Sequence, residues 1–223
     1  MSFAILALAI AGFAGWAFWH FGEDQTIRRT LRNAPTKRIQ DLRDDELGKV
    51  VGHARGLDEV LNAPLTGRRC VYFIATVEEH RSTGKSSYWK TIVRETRGVP
   101  FMLEDGSGRA LVDATAARIT LDFDGKSQSG TFDDPTEAEK AFLARHGEKG
   151  EGWVFNRSLR YREAVIEDGE TIAVLGAGTR EPDPDAPPTE AYRGDVPTRL
   201  RLTSSRKYPL VISDDPSATR VPR

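Results

Sequence analysis

The chain holds 223 residues, with 32 basic against 33 acidic side chains and a formal charge of −1. So even a balance gives no global field toward nucleic acid or an acidic substrate, and the length suits one domain with a core, or one domain plus a small addition. A single cysteine, Cys70, excludes an internal disulfide and a zinc cage built of cysteines, and nothing argues for an oxidising compartment.

Residues Phe3 to Phe21, FAILALAIAGFAGWAFWHF, contain one ionisable side chain, His20. As a helix this run is about 28 Å long, against a hydrocarbon core of about 30 Å. Trp16, Trp19 and His20 cluster at its C-terminal end, where amphipathic rings favour the headgroup level, and Gly12 and Gly15 are tolerated in spans. The expectation is a transmembrane anchor over 1–22, touching the lipid bilayer through residues 3–21. A cleaved signal peptide is the alternative, but only Met1 and Ser2 precede the apolar run, with no basic residue. A buried helix is the third reading. Arg28, Arg29, Arg32, Lys37 and Arg38 follow the span, so the positive-inside rule predicts a single-pass protein with a cytoplasmic body. Inverted topology would make the body a periplasmic module. The basic cluster either rests on anionic headgroups or is a solvated connector.

Residues 23–48 read as a juxtamembrane connector: Ile27, Leu31, Ile39 and Leu42 are loosely spaced, Pro35 interrupts, and a short helix fits after Thr36. Residues 49–213 read as one β-rich domain. KVVGHARGL is strand-like. RRCVYFIATVEEH is apolar on both alternating faces, as in a strand buried on both sides. SYWKTIVRET alternates, and VPFMLED and RALVDA flank DGSG, a hairpin turn. ARITLDF is another strand. DDPTEAEKAFLARHG predicts one helix with Asp134 as N-cap, Pro135 at the first position, Glu137 in the capping box, Gly147 as the stop, and Ala138, Ala141, Phe142 and Arg145 inward. LRYREAVI and TIAVLGAGTRE flank the EDGE turn. PDPDAPP is a spacer, TRLRLTSS and YPLVISD form a last strand pair, and 214–223 is a loose tail. Eight or nine short strands with one inserted helix predict a mainly β fold, a closed antiparallel barrel or a sandwich, with an OB-like antiparallel barrel the preferred architecture.

Chemistry-bearing patterns are sparse. His20, His53, His80 and His146 lack metal-ligand spacing, so no metal and no cofactor is expected. Cys70 with His80 would need an exposed, acidified thiol, whereas Cys70 lies in the most apolar strand and reads as a small hydrophobe. Ser107 in DGSG is a turn residue, since G-x-S-x-G is not formed. Gly176 to Gly178 is not G-x-G-x-x-G, because Glu181 stands at the last position. Asp44–Asp45, Asp133–Asp134 and Asp214–Asp215 read as turn residues. Arg157, Arg160, Tyr161 and Arg162 could form an oligonucleotide face, but Glu163, Glu167 and Asp168 dilute it, so nucleic acid is not an expected partner.

Taken together, LNAPLTGRRCVYFIATVEEH, Trp89, VPFMLEDGSGRALVDA and YREAVIEDGETIAVLGAG resemble the GIDE, or beside-a-membrane, domain over about Val50 to Ile212. That domain belongs to the mitochondrial outer-membrane RING-type E3 ubiquitin ligases and to prokaryotic relatives. The residues carrying the resemblance are Pro64, Gly67, Cys70, Glu79, His80, Trp89, Pro100, Phe101, Asp105, Glu163, Gly169 and Gly176, all read as structural. In the family, ubiquitin transfer belongs to a RING with two zinc ions of four Cys or His ligands each. These 223 residues hold one Cys and four His, so no catalytic residue is carried over. YPLVISD is too short to be a second span. The expectation is a non-catalytic binding or scaffold module at the bilayer, with a protein partner the sequence does not identify. The alternatives are a ligase-like component working with a separate RING protein, or a hydrolase.

Overall fold

The computed structural model describes residues 25–129, 135–147, 158–186 and 197–221. These residues are mainly β, with two helices. The anchor expected over 1–22, with its ends Phe3 and Phe21, lies outside them. No helix among the described residues is long and apolar enough to cross a membrane.

Thirteen strands run in the order β1 (Gly48–Gly56), β2 (Leu61–Asn62), β3 (Arg69–Ser82), β4 (Ser87–Gly98), β5 (Phe101–Glu104), β6 (Arg109–Val112), β7 (Arg118–Thr120), β8 (Gly125–Ser129), β9 (Leu159–Glu167), β10 (Thr171–Gly176), β11 (Gly178–Pro182), β12 (Thr198–Leu202) and β13 (Val211–Ser213). Helix α1 covers residues 25–33 and α2 is Glu137–Arg145. The strands form two sheets in place of the expected single antiparallel barrel. One has eight strands in the order β11-β12-β6-β5-β1-β10-β13-β7, and the other is β2-β3-β9-β8 with β4 also beside β3. β1 runs against both β3 and β9, where the sheets meet.

Two pairs are parallel, β12 with β6 and β13 with β7, so the arrangement is mixed. The expected pairing of TRLRLTSS with YPLVISD does not form. Instead β12 inserts between β11 and β6, and β13 between β10 and β7. Leu200 and Leu202 of β12 are buried, while the alternate Arg199 and Arg201 reach Glu181 of β11 at 2.8 and 3.2 Å. That alternation sets the register with β11 rather than with the nearer segment.

The main core joins both sheets. Phe101, Leu103, Val112, Leu159, Tyr161, Leu200 and Leu202 are at most 1% exposed, as are Phe142 and Leu143 of α2. The double-sided burial read for RRCVYFIATVEEH holds: β3 is buried at Cys70 and Val71 and continuously from Phe73 to Val77. Helix α2 starts later than expected. Thr136 is the N-cap, accepting from the Glu139 amide, and Glu139 returns a bond to the Thr136 amide at 2.7 Å. The capping box is therefore Thr136–Glu139, which rotates the inward face to Glu139, Phe142 and Leu143 and leaves Ala141 and Arg145 exposed.

Residues 25–48, expected as a connector, are packed. Ile39 and Leu42 enter the main core, while Ile27 and Leu31 of α1 join Ala173, Leu175, Val211 and Ala218 in a second cluster. The tail expected to be loose is tied down by the same cluster: Ala218 is fully buried, and its carbonyl accepts from Lys49 Nζ at 3.3 Å.

Candidate functional site

Glu163 on β9 is 1% exposed, and its carboxylate holds the Pro64–Gly67 turn. It accepts from the amides of Leu65 (2.8 Å) and Thr66 (3.1 Å) and from the Thr66 hydroxyl. Gly67, with φ +72°, closes the turn through its amide on the Ala63 carbonyl at 2.8 Å. The turn delivers Cys70 to the interior, where burial pushes its thiol up to about 11, with the Glu163 carboxylate adding. His80 lies ten residues further along the same strand, about 33 Å away at 3.3 Å per residue. The nucleophile-and-base reading of this pair therefore fails.

Other motif residues lie in turns, strands and a cleft rim. Asp105 Oδ1 accepts from the Ser107 amide and hydroxyl (2.8 and 2.7 Å) and the Gly108 amide (3.1 Å), while Oδ2 accepts from the Ile39 amide (2.7 Å). Ser107 is thus a turn residue. Phe101 is core, and Pro100 is exposed on a cleft rim. Gly169, with φ +85°, turns the β9–β10 hairpin and donates to the Ala54 carbonyl at 2.7 Å. Gly176 and Gly178 serve close approach: a Cβ would stand 2.6 Å from Leu210 Cδ1 and 2.3 Å from the Arg201 carbonyl oxygen. Asp44 accepts the Arg180 amide at 2.9 Å. Asp133, Asp134 and Arg157 lie outside the described residues, as does His20.

A cleft of about 570 Å³ opens near Pro100, Arg109, Asp113, Asp185, Arg199 and Arg201. Its arginines are engaged internally: Arg109 with Asp183 (3.1 Å), Arg199 and Arg201 with Glu181. No cluster of three potential metal ligands occurs among the described residues.

The strongest concentration of chemistry lies on the β8-β9-β3-β4 sheet. Alternation places Glu163 and Tyr161 on the covered face, where Glu95 of β4 ties α2 through Arg145 (2.9 Å) and His146 (3.2 Å). Arg160 and Arg162 stand on the opposite face. Arg160 lies over the Trp89 ring at 4.4 Å, and His80 meets the same ring at 5.1 Å. Arg162 lies over Phe123 at 4.1 Å. Glu78 accepts from Arg160 Nε at 2.6 Å and stands 3.8 Å from Arg162. On the other face, Glu79 is 5% exposed and accepts from Arg81 Nε at 2.7 Å.

Arg94 of β4 and Lys126 of β8 share the Arg162 face. Sequence reading grouped Arg160 and Arg162 but diluted them with Glu163, which points away. Arg94, Lys126 and Thr76 join them only through cross-strand register, and Phe123 only through its ring contact with Arg162. Thr76 Oγ1 and Arg162 Nε are buried there without a hydrogen-bond partner, each at a cost of about 1–3 kcal/mol. Beside this face, β4 is an edge strand: among the described residues it pairs only with β3.

The family model described as GIDE, E3 Ubiquitin ligase, matches residues 74–187, just over half of the chain. The chain belongs to the GIDE family. The match contains Glu79, His80, Trp89, Pro100, Phe101, Asp105, Glu163, Gly169 and Gly176, while Pro64, Gly67 and Cys70 precede it. No curated protein matches the chain. No solved structure matches it.

Proposed function

We propose that the chain is a membrane-anchored binding module that recruits a protein partner at the bilayer surface and leaves bond-making to others. The observation that carries this reading is the edge of β4, which among the described residues pairs only with β3. Around the exposed Thr96 and Arg97 the strand offers one side of its backbone to an added strand, a mode in which main-chain bonds supply affinity. The apolar residues 3–21 supply the anchor, and the basic residues after them favour a cytoplasmic body. An anchor raises local concentration, so modest contacts suffice.

The test uses the full chain recovered from its own membranes. It stays in the membrane pellet after an alkaline wash, and removal of residues 1–22 releases it. Of the neighbouring exposed residues Thr96 and Arg97, one amide faces β3 and the other the open edge. Proline at the outward position leaves the fold intact and abolishes co-purification of the partner. An unanchored full chain, or a partner retained by the folded proline variant, overturns the reading.

The family description favours a second reading, a ligase component that works with a separate RING protein. Under it, the co-purified partner carries the zinc ligands, and ubiquitin transfer requires both chains.

A further inference from the structure

Four residues form one rank across four strands of the smaller sheet. Lys126 of β8 faces Arg162 of β9, Arg162 faces Thr76 of β3, and Thr76 faces Arg94 of β4. Directly opposed residues project to the same side, and three strand intervals of about 4.8 Å put the ends of the rank about 14 Å apart. Arginine and lysine chains at both ends therefore reach a common point above Thr76. Like charges set side by side across a sheet oppose folding unless something compensates them.

Compensation within the described residues is partial. Glu78, one rank along, is committed to Arg160 at 2.6 Å and stands 3.8 Å from Arg162. Arg94 and Lys126 are exposed and form no ion pair among the described residues. Burial lowers the Arg162 guanidinium from its ordinary value, with Glu78 opposing and Arg160 adding. Thr76 is 3% exposed, yet its hydroxyl has no partner, and neither has the Nε of Arg162 beside it. Two unsatisfied donors thus lie in one rank with two exposed cations.

We propose that this rank is a binding site for a phosphate-class oxyanion, seated over Thr76 between Arg94, Arg162 and Lys126. Phosphate presents several acceptor oxygens and a double negative charge, which matches two hydroxyl and guanidinium donors and three cations. Phe123 under Arg162 and Trp89 under Arg160 fix the guanidinium planes before the ligand arrives. Those same guanidinium groups cover a face of each ring, which works against base stacking and hence against single-stranded nucleic acid. The ligand is either a free phosphate or a lipid phosphate headgroup. Asp122, in the segment that leads into β8, pairs with Arg28 of α1 at 2.7 Å, so that segment is tied to the helix that follows residues 3–21 in the chain.

The test places the full chain in discs of phosphatidylcholine and follows the Arg162 Nε–H resonance during titration with inorganic phosphate, against chloride at equal ionic strength. A saturable millimolar or tighter shift with phosphate alone is expected. Arg94→Gln, an exposed change that leaves the fold intact, weakens binding about tenfold through one lost charge-assisted contact. Thr76→Val also weakens it, while the phosphate-free melting temperature stays level or rises because an orphan hydroxyl is gone. Discs containing phosphatidic acid, without free phosphate, assign the source: the same shift there marks the headgroup, and its absence marks the free anion. No shift in either arm, an equal shift with chloride, or full affinity in Arg94→Gln overturns the proposal. None of these outcomes depends on the β4 edge.

Discussion

Glu163 anchors a turn that lies 98 residues earlier in the chain. Three donors converge on one buried carboxylate, so its removal leaves all three without a partner. Glu163→Ala is expected to destabilise the fold by about 3–5 kcal/mol, and Glu163→Gln by about 1–3 kcal/mol, because the amide keeps one acceptor but turns a donor toward donors. Urea unfolding checks both, as a lower midpoint at unchanged slope. An Ala variant within about 0.5 kcal/mol of the parent sinks the clamp. Both halves were visible in the sequence, the P-L-T-G turn and a glutamate in the hairpin strand. Their contact was not, because alternation along β9 gives two faces without saying which one meets the turn. The same ambiguity hid the cation rank: Glu163 follows Arg162 directly and therefore points the opposite way.

Where strands end, local pattern yields to tertiary partners. Strand interiors were legible because β-branched and aromatic runs alternate with the pleat, and β3 was read as buried on both faces. Helix α2 was legible as a helix but began two residues late, since Thr136 and Glu139 form the reciprocal box that Asp134 and Glu137 were expected to make. The parallel pairs β12–β6 and β13–β7 were not legible, because no short connection marks them. At the end of one such pair, Asp214 accepts the Asp122 amide through both oxygens, at 3.0 and 3.1 Å. Burial pushes its carboxyl up to about 7 against that hydrogen bond, and the charges of Asp122 and Glu170 add to the rise. Unfolded, the group titrates near 3.9. Below that value both states hold the proton. Between about pH 4 and pH 7 only the folded state holds it, so its contribution to stability is lost as the pH rises. Asp214→Asn should flatten this decline and exceed the parent at about pH 8 by roughly 1–2 kcal/mol, after a discount for partial exposure. Denaturation midpoints measured across that range decide it; parallel profiles for the two proteins count against a raised carboxyl.

Helix α1 is docked on the body of the protein. Its apolar stripe, Ile27 and Leu31, lies on the outer side of the eight-stranded sheet against Ala173, Leu175 and Val211. Arg28 forks to Asp122 and Asp215, locking the helix to the ends of both β7 and β13. Only Gly22, Glu23 and Asp24 separate this docked helix from Phe21. On the anchored reading, the tether is thus too short to let the body roam, and the docking of α1 fixes which surface faces the bilayer. Leu31→Ala tests this directly, since Leu31 is fully buried. Truncation to Ala should lower stability by about 2–4 kcal/mol, if the cluster is integral to the body. Trypsin adds a local readout. Arg28, Arg29 and Arg32 resist cleavage while α1 is docked, because proteolysis needs the segment to open. In Leu31→Ala the opening is easier, and cuts at these residues should precede any cut in β3 or β9. Equal midpoints and equal cleavage rates would instead make α1 a passive strap, leaving the orientation of the sheet's cationic face unconstrained by the chain that leads to it.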